Sequence, residues 1–149
     1  MAKSRTMKQQ SLDELIDESQ FRQLGDDFSI PVLPLGISKP NLVIQSPTVS
    51  EILGIPPSVC STQPFLDIFS GNASPQNSTP AAQAYAGHQF GKFNPFLGDG
   101  RTLLLGTAGT QNDYWEISLK GAGKTPFTFV SDGRAGLTEC QHEFDISER

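Results

Sequence analysis

The chain has 149 residues, a formal net charge of −5 and a sequence pI near 4.9. That length suits one domain with a moderate core, and the acidity excludes a broad basic face for nucleic acid. Its 14 Gly and 11 Pro mark a loop-rich globular protein, and its longest apolar run, Leu103-Leu104-Leu105, is far too short to span a membrane.

The opening MAKSRTMKQQ is basic but has no apolar stretch, so residues 1–10 read as a disordered tail rather than a secretory leader. Cys60 and Cys140 lack metal-type spacing, and with only His88 and His142 beside them no zinc site is expected. Two free thiols without a leader fit a reducing compartment, cytoplasmic or, in a eukaryote, mitochondrial.

Ser11-Leu-Asp-Glu14 is a capping box and predicts a short helix through Leu15 and Ile16 towards Phe21. Pro31, Pro34 and Pro40 then hold the chain extended, with a short strand expected at Leu42-Val43-Ile44. Thr48-Val-Ser-Glu51 is a second capping box, with Gly54 placed to end its helix. A helical turn spans Phe65 to Phe69, stopped by Gly71-Asn72, and residues 71–83 read as a polar surface loop.

From Ala84 the texture changes to glycine mixed with aromatics, "AYAGHQFGKFNPFLGDGRTLLLG". Gly98-Asp99-Gly100 is a turn signal, Thr102 to Thr107 a strand, and Gly109 to Asp113 a loop. Tyr114 to Lys120 returns as a half-buried strand, with Trp115, Ile117 and Leu119 on one face and Lys120 on the other. Leu137, Cys140 and Phe144 recur at helical spacing and predict a helix from Thr138 to Arg149. The fold class is α+β.

"KGAGKTPF" at 120–127 invites comparison with a phosphate-binding P-loop, but Ser118 stands where the first Gly of that motif belongs. The chain then runs Phe127-Thr128-Phe129-Val130, a poor helix start. A different constellation carries chemistry. A glycine turn between strands, then Lys120 on a strand, then Glu143 on a helix is the order protein kinases use. There glycine amides approach phosphates, the Lys neutralises them, and the Glu fixes the direction of the Lys. The third kinase glycine is missing, since Leu103 occupies its place. By themselves, Arg101, Lys120 and Glu143 read first as solvated surface charges, and His88 as a structural histidine.

"YAGHQFG", "LGDGR", "LKGAG-TP" and "DGRA", with "EILGI" and "FSGN" upstream, resemble the selenoprotein O family of kinase-like protein adenylyltransferases over residues 11–149. The resemblance implies a protein-kinase-like N-terminal lobe, an antiparallel sheet plus a Glu-bearing helix, truncated within that helix. It implies ATP bound in reverse relative to kinases, magnesium, and AMP transfer to Ser, Thr or Tyr hydroxyls of protein substrates. By matched position Gly98, Gly100 and Arg101 lie against the nucleotide and Lys120 reaches its phosphates. Glu143 is then the Lys partner, and Asp132 with Gly133 lines the pocket.

Two departures stand out: Phe129 replaces a basic residue common in the family, and Thr138-Glu139 replaces its usual Arg and Ser. The family's catalytic Asp and its metal ligands lie downstream, so no catalytic or metal residue is assigned within this chain and the chain alone is expected to be inactive. The alternative is a non-catalytic remnant that binds nucleotide weakly or serves as an interaction module.

A final helix of about three turns is below the length at which isolated helices persist in water. Its apolar stripe holds only Leu137, Cys140, Phe144 and Ile146, each large side chain adding about 1.5–3 kcal/mol if buried. The last ten residues are therefore expected to be poorly ordered in solution, with the Lys120–Glu143 pair intermittent. Amide hydrogen exchange tests this directly, and strong protection from Glu139 to Ser147 in the isolated chain would refute it.

Overall fold

A computed structural model describes residues 12–110 and 113–148. The expected tail at 1–10 and Ser11 of the first capping box lie outside the described residues. Among the latter, five α-helices and one 3-10 turn accompany five antiparallel strands, an α+β architecture.

The N-terminal half is helical and short-jointed: α1 (Leu12–Leu15), a 3-10 turn at Phe21–Leu24, β1 (Ser29–Pro31), α2 (Pro47–Ile52), α3 (Pro57–Cys60) and α4 (Gln63–Phe69). The first helix stops well short of Phe21. Asp17 leaves it to pair in both directions with Thr107, amide to carbonyl at 2.9 Å each way, so sheet bonding overrides the local helix signal. The second capping box is corrected by two residues. Ser46 is the N-cap, its hydroxyl accepting from the Val49 amide, because Pro47 has a preset φ and no N–H to satisfy in the first turn. Gly54 ends this helix as expected, at φ +69°. No strand forms at Leu42-Val43-Ile44; these residues are exposed and have no ladder partner.

The sheet runs β1-β2-β4-β5 with β3 on β2, where β2 is Ala81–Gln89, β3 Lys92–Gly98, β4 Thr102–Thr110 and β5 Asp113–Lys120. The loop expected over 71–83 thus ends at Pro80. Ala81 and Ala82 are fully buried where β2 runs between β1 and β4. The second half of β2 peels off to pair with β3, a hairpin the sequence did not announce. Its turn is Phe90-Gly91, both at positive φ, which is the two-residue primed geometry without its usual Asn-Gly or Asp-Gly signature. The expected loop at Gly109–Asp113 shrinks, because Thr110 pairs with Asp113.

Leu103 and Leu105 are fully buried and join the core with Ile16, Ile55, Cys60, Phe65 and Ile68. Leu104 is buried outside that cluster, as alternation along a strand requires. Ile117 and Leu119 are buried too, but Trp115 is 47% exposed, since the far end of the β4–β5 hairpin extends past the core. No described helix is long and apolar enough to cross a membrane.

The final helix, α5, spans Leu137–Ser147 and buries no residue. Its apolar side, Leu137, Cys140 and Phe144, faces a groove of about 430 Å³ shared with Leu66 and Phe69 of α4 and with Val43.

Between β5 and α5 the chain folds back on itself: Ala122 bridges Arg134, and the Gly123 amide donates to the Gly133 carbonyl at 3.1 Å. Gly133 sits at φ +74°, and a Cβ there would lie 2.1 Å from the Gly123 carbonyl oxygen. Gly133→Ala is expected to destabilise the fold by about 2 kcal/mol or more, through backbone strain plus this clash. Gly136→Ala, where a Cβ meets nothing within 4 Å, is expected to cost much less. Urea unfolding of the two variants makes the comparison.

Candidate functional site

The turn Gly98-Asp99-Gly100 delivers Arg101 to the start of β4 and is held from several sides. The Thr125 hydroxyl donates to the Asp99 carbonyl at 2.6 Å, and the Thr128 hydroxyl to that of Gly100. The Asp99 amide donates to Gln83, and Tyr85 donates its hydroxyl to the Asp99 carboxylate at 3.1 Å. Burial raises the Asp99 pKa, against the lowering effect of the Tyr85 hydrogen bond. Beneath the turn lies the Phe127 ring, so close that a Cβ on Gly98 would come within 2.3 Å of it. The absent side chain at Gly98 is therefore explained by packing. The tail of "KGAGKTPF" acts as a prop for the glycine turn, with Thr125 and Phe127 buried and no helix starting directly from it, which disposes of the P-loop comparison.

Lys120 ends β5 beside that turn. It is the register partner of Thr102, and the next amide, Gly121, donates to the Arg101 carbonyl at 2.8 Å. Two cations therefore leave neighbouring chain segments at this end of the β4–β5 pair, Lys120 from the last position of β5 and Arg101 from just before β4. Both reach to α5. Lys120 Nζ pairs with Glu143 Oε1. Arg101 pairs bidentately with Glu139, through Nη1 to Oε2 at 3.0 Å and Nη2 to Oε1. The two acids are one helical turn apart on one face, and all four side chains are between 34% and 48% exposed. Lys120, Glu139, Glu143, Ala135 and Cys140 line a small cavity of about 120 Å³.

Of the residues expected at the site, Arg101, Lys120 and Glu143 are brought together, with Gly100 next to them. Gly133 lies on the strap between β5 and α5, bonded to Gly123. Asp132 is exposed, and its carboxylate accepts from the Arg134 amide at 2.9 Å, closing a local turn. Two contributors are hidden in the sequence. Arg134 fastens the strap to the 35–36 backbone, donating to the Leu35 carbonyl at 2.6 Å and to that of Gly36 at 2.9 Å. Glu139 is visible there only as a departure from the family pattern; its position four residues before Glu143 is the signal that both face one way.

The family model described as protein adenylyltransferase SelO matches residues 12–149. The chain belongs to the SelO family. Relatives are the protein nucleotidyltransferases YdiU of Pseudomonas fluorescens Pf0-1, at 45% identity, P. aeruginosa UCBPP-PA14, at 44%, and P. entomophila L48, at 43%. In each case 93% of this chain is covered, against 28–29% of the relative. The chain thus spans under a third of the length of the curated SelO-family relatives it matches.

Hydrogen bonding from Arg101 holds the Glu139 carboxyl below its usual value of 4.5, and the same bond raises the Arg101 pKa. A depressed carboxyl stabilises the fold fully above the unfolded value, and that contribution disappears as pH falls through the folded one. Acidification from pH 6 is therefore expected to leave the Arg101–Glu139 pair intact until the pH falls below 4.5. A carbon-detected NMR titration of Glu139 with its midpoint at or above the usual value would contradict this.

Proposed function

We propose that this chain is the ATP-binding part of a protein adenylyltransferase and forms a kinase-like N-terminal lobe. In the reaction a Ser, Thr or Tyr hydroxyl oxygen of a protein substrate bonds to the α-phosphorus of ATP, and pyrophosphate leaves. Membership of a nucleotidyltransferase family supplies the reaction class. The single observation that carries the site is the adjacency of Arg101 and Lys120 beside the glycine turn, with Glu143 on the Lys.

Each group has a physical task in this reading. Lys120 and Arg101 offset the negative charge of the phosphates, and Arg101 also presents a planar fork suited to phosphate oxygens. Glu143 keeps the Lys120 ammonium from wandering. The backbone of Gly98 and Gly100 lies against the nucleotide, while Asp132 and Gly133 border it from the strap.

Magnesium, which the reaction class implies, would offset charge on the phosphates. Among the described residues no group of three or more His, Cys, Asp or Glu side chains gathers to hold it, and Glu139 and Glu143 are already turned to cations. Its ligands and the catalytic base are assigned to the portion of the family's length this chain does not span.

Calorimetry with ATP tests the binding half. The wild-type chain is expected to bind weakly, and Lys120→Ala to lose about tenfold or more in affinity, as removal of a charge-assisted contact entails. Equal binding by the two would remove Lys120 from the site. Incubation with labelled ATP, magnesium and a general protein substrate tests the other half. No labelled protein is expected from this chain alone, and clear AMP transfer would overturn that assignment.

A further inference from the structure

Arg101 and Lys120 are both paired with carboxylates, yet the two pairings differ in what they leave free. A Lys ammonium has three donors, so Glu143 can hold Lys120 and still leave two for a ligand. A guanidinium meets carboxylate or phosphate in a flat bidentate fork, through its Nη1/Nη2 end or through its Nε/Nη side. Glu139 takes Nη1 and Nη2 of Arg101 together. The outermost of these edges, the Nη1/Nη2 end, already carries a carboxylate.

Charge points the same way. The two cations contribute +2 and the two acids −2, so the cluster as it stands offers an incoming polyphosphate no net attraction. Restoring it requires one carboxylate to withdraw. Glu139 is the one that sits on the end of the guanidinium. It is 41% exposed on the first turn of α5, a helix with no buried residue, and the Lys120–Glu143 pair keeps its own geometry one turn further on.

We propose that Glu139 is an intramolecular competitor for nucleotide phosphate at Arg101. It occupies the guanidinium fork in the free chain and is displaced when a polyphosphate binds. This rests on the reading of Arg101 and Lys120 as phosphate-binding groups. The same contact gates affinity. Nucleotide binding at that end replaces one carboxylate with a more highly charged anion, and salt screens both pairings because the side chains are partly exposed.

The test titrates ATP, and separately inorganic tripolyphosphate, into the full 149-residue chain and its Glu139→Gln variant at low ionic strength. Glu139→Gln is expected to bind both about threefold to tenfold more tightly, the span set by loss of one exposed ion pair. In an Arg101→Lys background, which presents no fork, the same substitution is expected to gain less than twofold, a figure of roughly that order following from the loss of bidentate geometry. A measurement on the unaltered chain stands independently of how the variants fold: on addition of ATP the Glu139 carboxyl carbon should move towards the position of a free glutamate. Binding by Glu139→Gln that is equal to or weaker than wild type, or a Glu139 signal unmoved at saturating ATP, overturns the competitor role. If both chains bind ATP equally, the phosphate-binding reading survives without it; if neither binds ATP or tripolyphosphate, both fall.

Discussion

The hydrogen bond from the Gly121 amide to the Arg101 carbonyl is the point from which the charged cluster is built. It continues the β4–β5 ladder past Thr102 and Lys120 and so places two long cationic side chains next to each other. Like charges so close are unfavourable unless anions answer them. The answer comes from α5, whose acids at 139 and 143 match the spacing of the cations across the strands. The two ion pairs tie α5, a helix that buries none of its residues, to the ends of the strands.

The strap between β5 and α5 has a complementary task. It must reverse direction in a short span, which it does by bonding Gly123 to Gly133 and Ala122 to Arg134. Arg134 then nails the strap to the 35–36 backbone. Thr125, Thr128 and Phe127, on the intervening stretch, support the glycine turn from below. A single excursion of chain therefore braces both the turn that carries Arg101 and the entry to the helix that carries its partner.

The sequence was most legible where local chemistry and the fold agree. The alternation of Ile117 and Leu119, the Gly98-Asp99-Gly100 turn and the order of Arg101, Lys120 and Glu143 could all be read directly, and the family motifs added the link between them. Legibility failed where tertiary bonding prevailed. Asp17 abandons a helix for Thr107. Ala81 and Ala82 look like loop residues because small side chains carry no strand signal, yet they are fully buried. The Phe90-Gly91 turn has a residue at φ +52° that no turn preference would select, so the β2–β3 hairpin stayed hidden. Glu139 could be seen as anomalous but not as a partner, since nothing in a linear pattern pairs it with Arg101 across the turn.

The four-residue separation of Glu139 and Glu143 has a mechanical side. A helix held at two points one turn apart cannot creep along the sheet. A shift by one residue rotates its face by about 100° and breaks both contacts. A slide by a whole turn, about 5.4 Å, brings one acid opposite the other's cation. Towards one end Glu143 meets Arg101 and Ser147 comes to Lys120; towards the other, Glu139 meets Lys120 and Arg101 lies beyond the helix start at Leu137. Each slid setting keeps one ion pair and forfeits one. The helix thus has a detent, a preferred notch with shallower ones a full turn away, set by charge spacing rather than by the fit of apolar side chains.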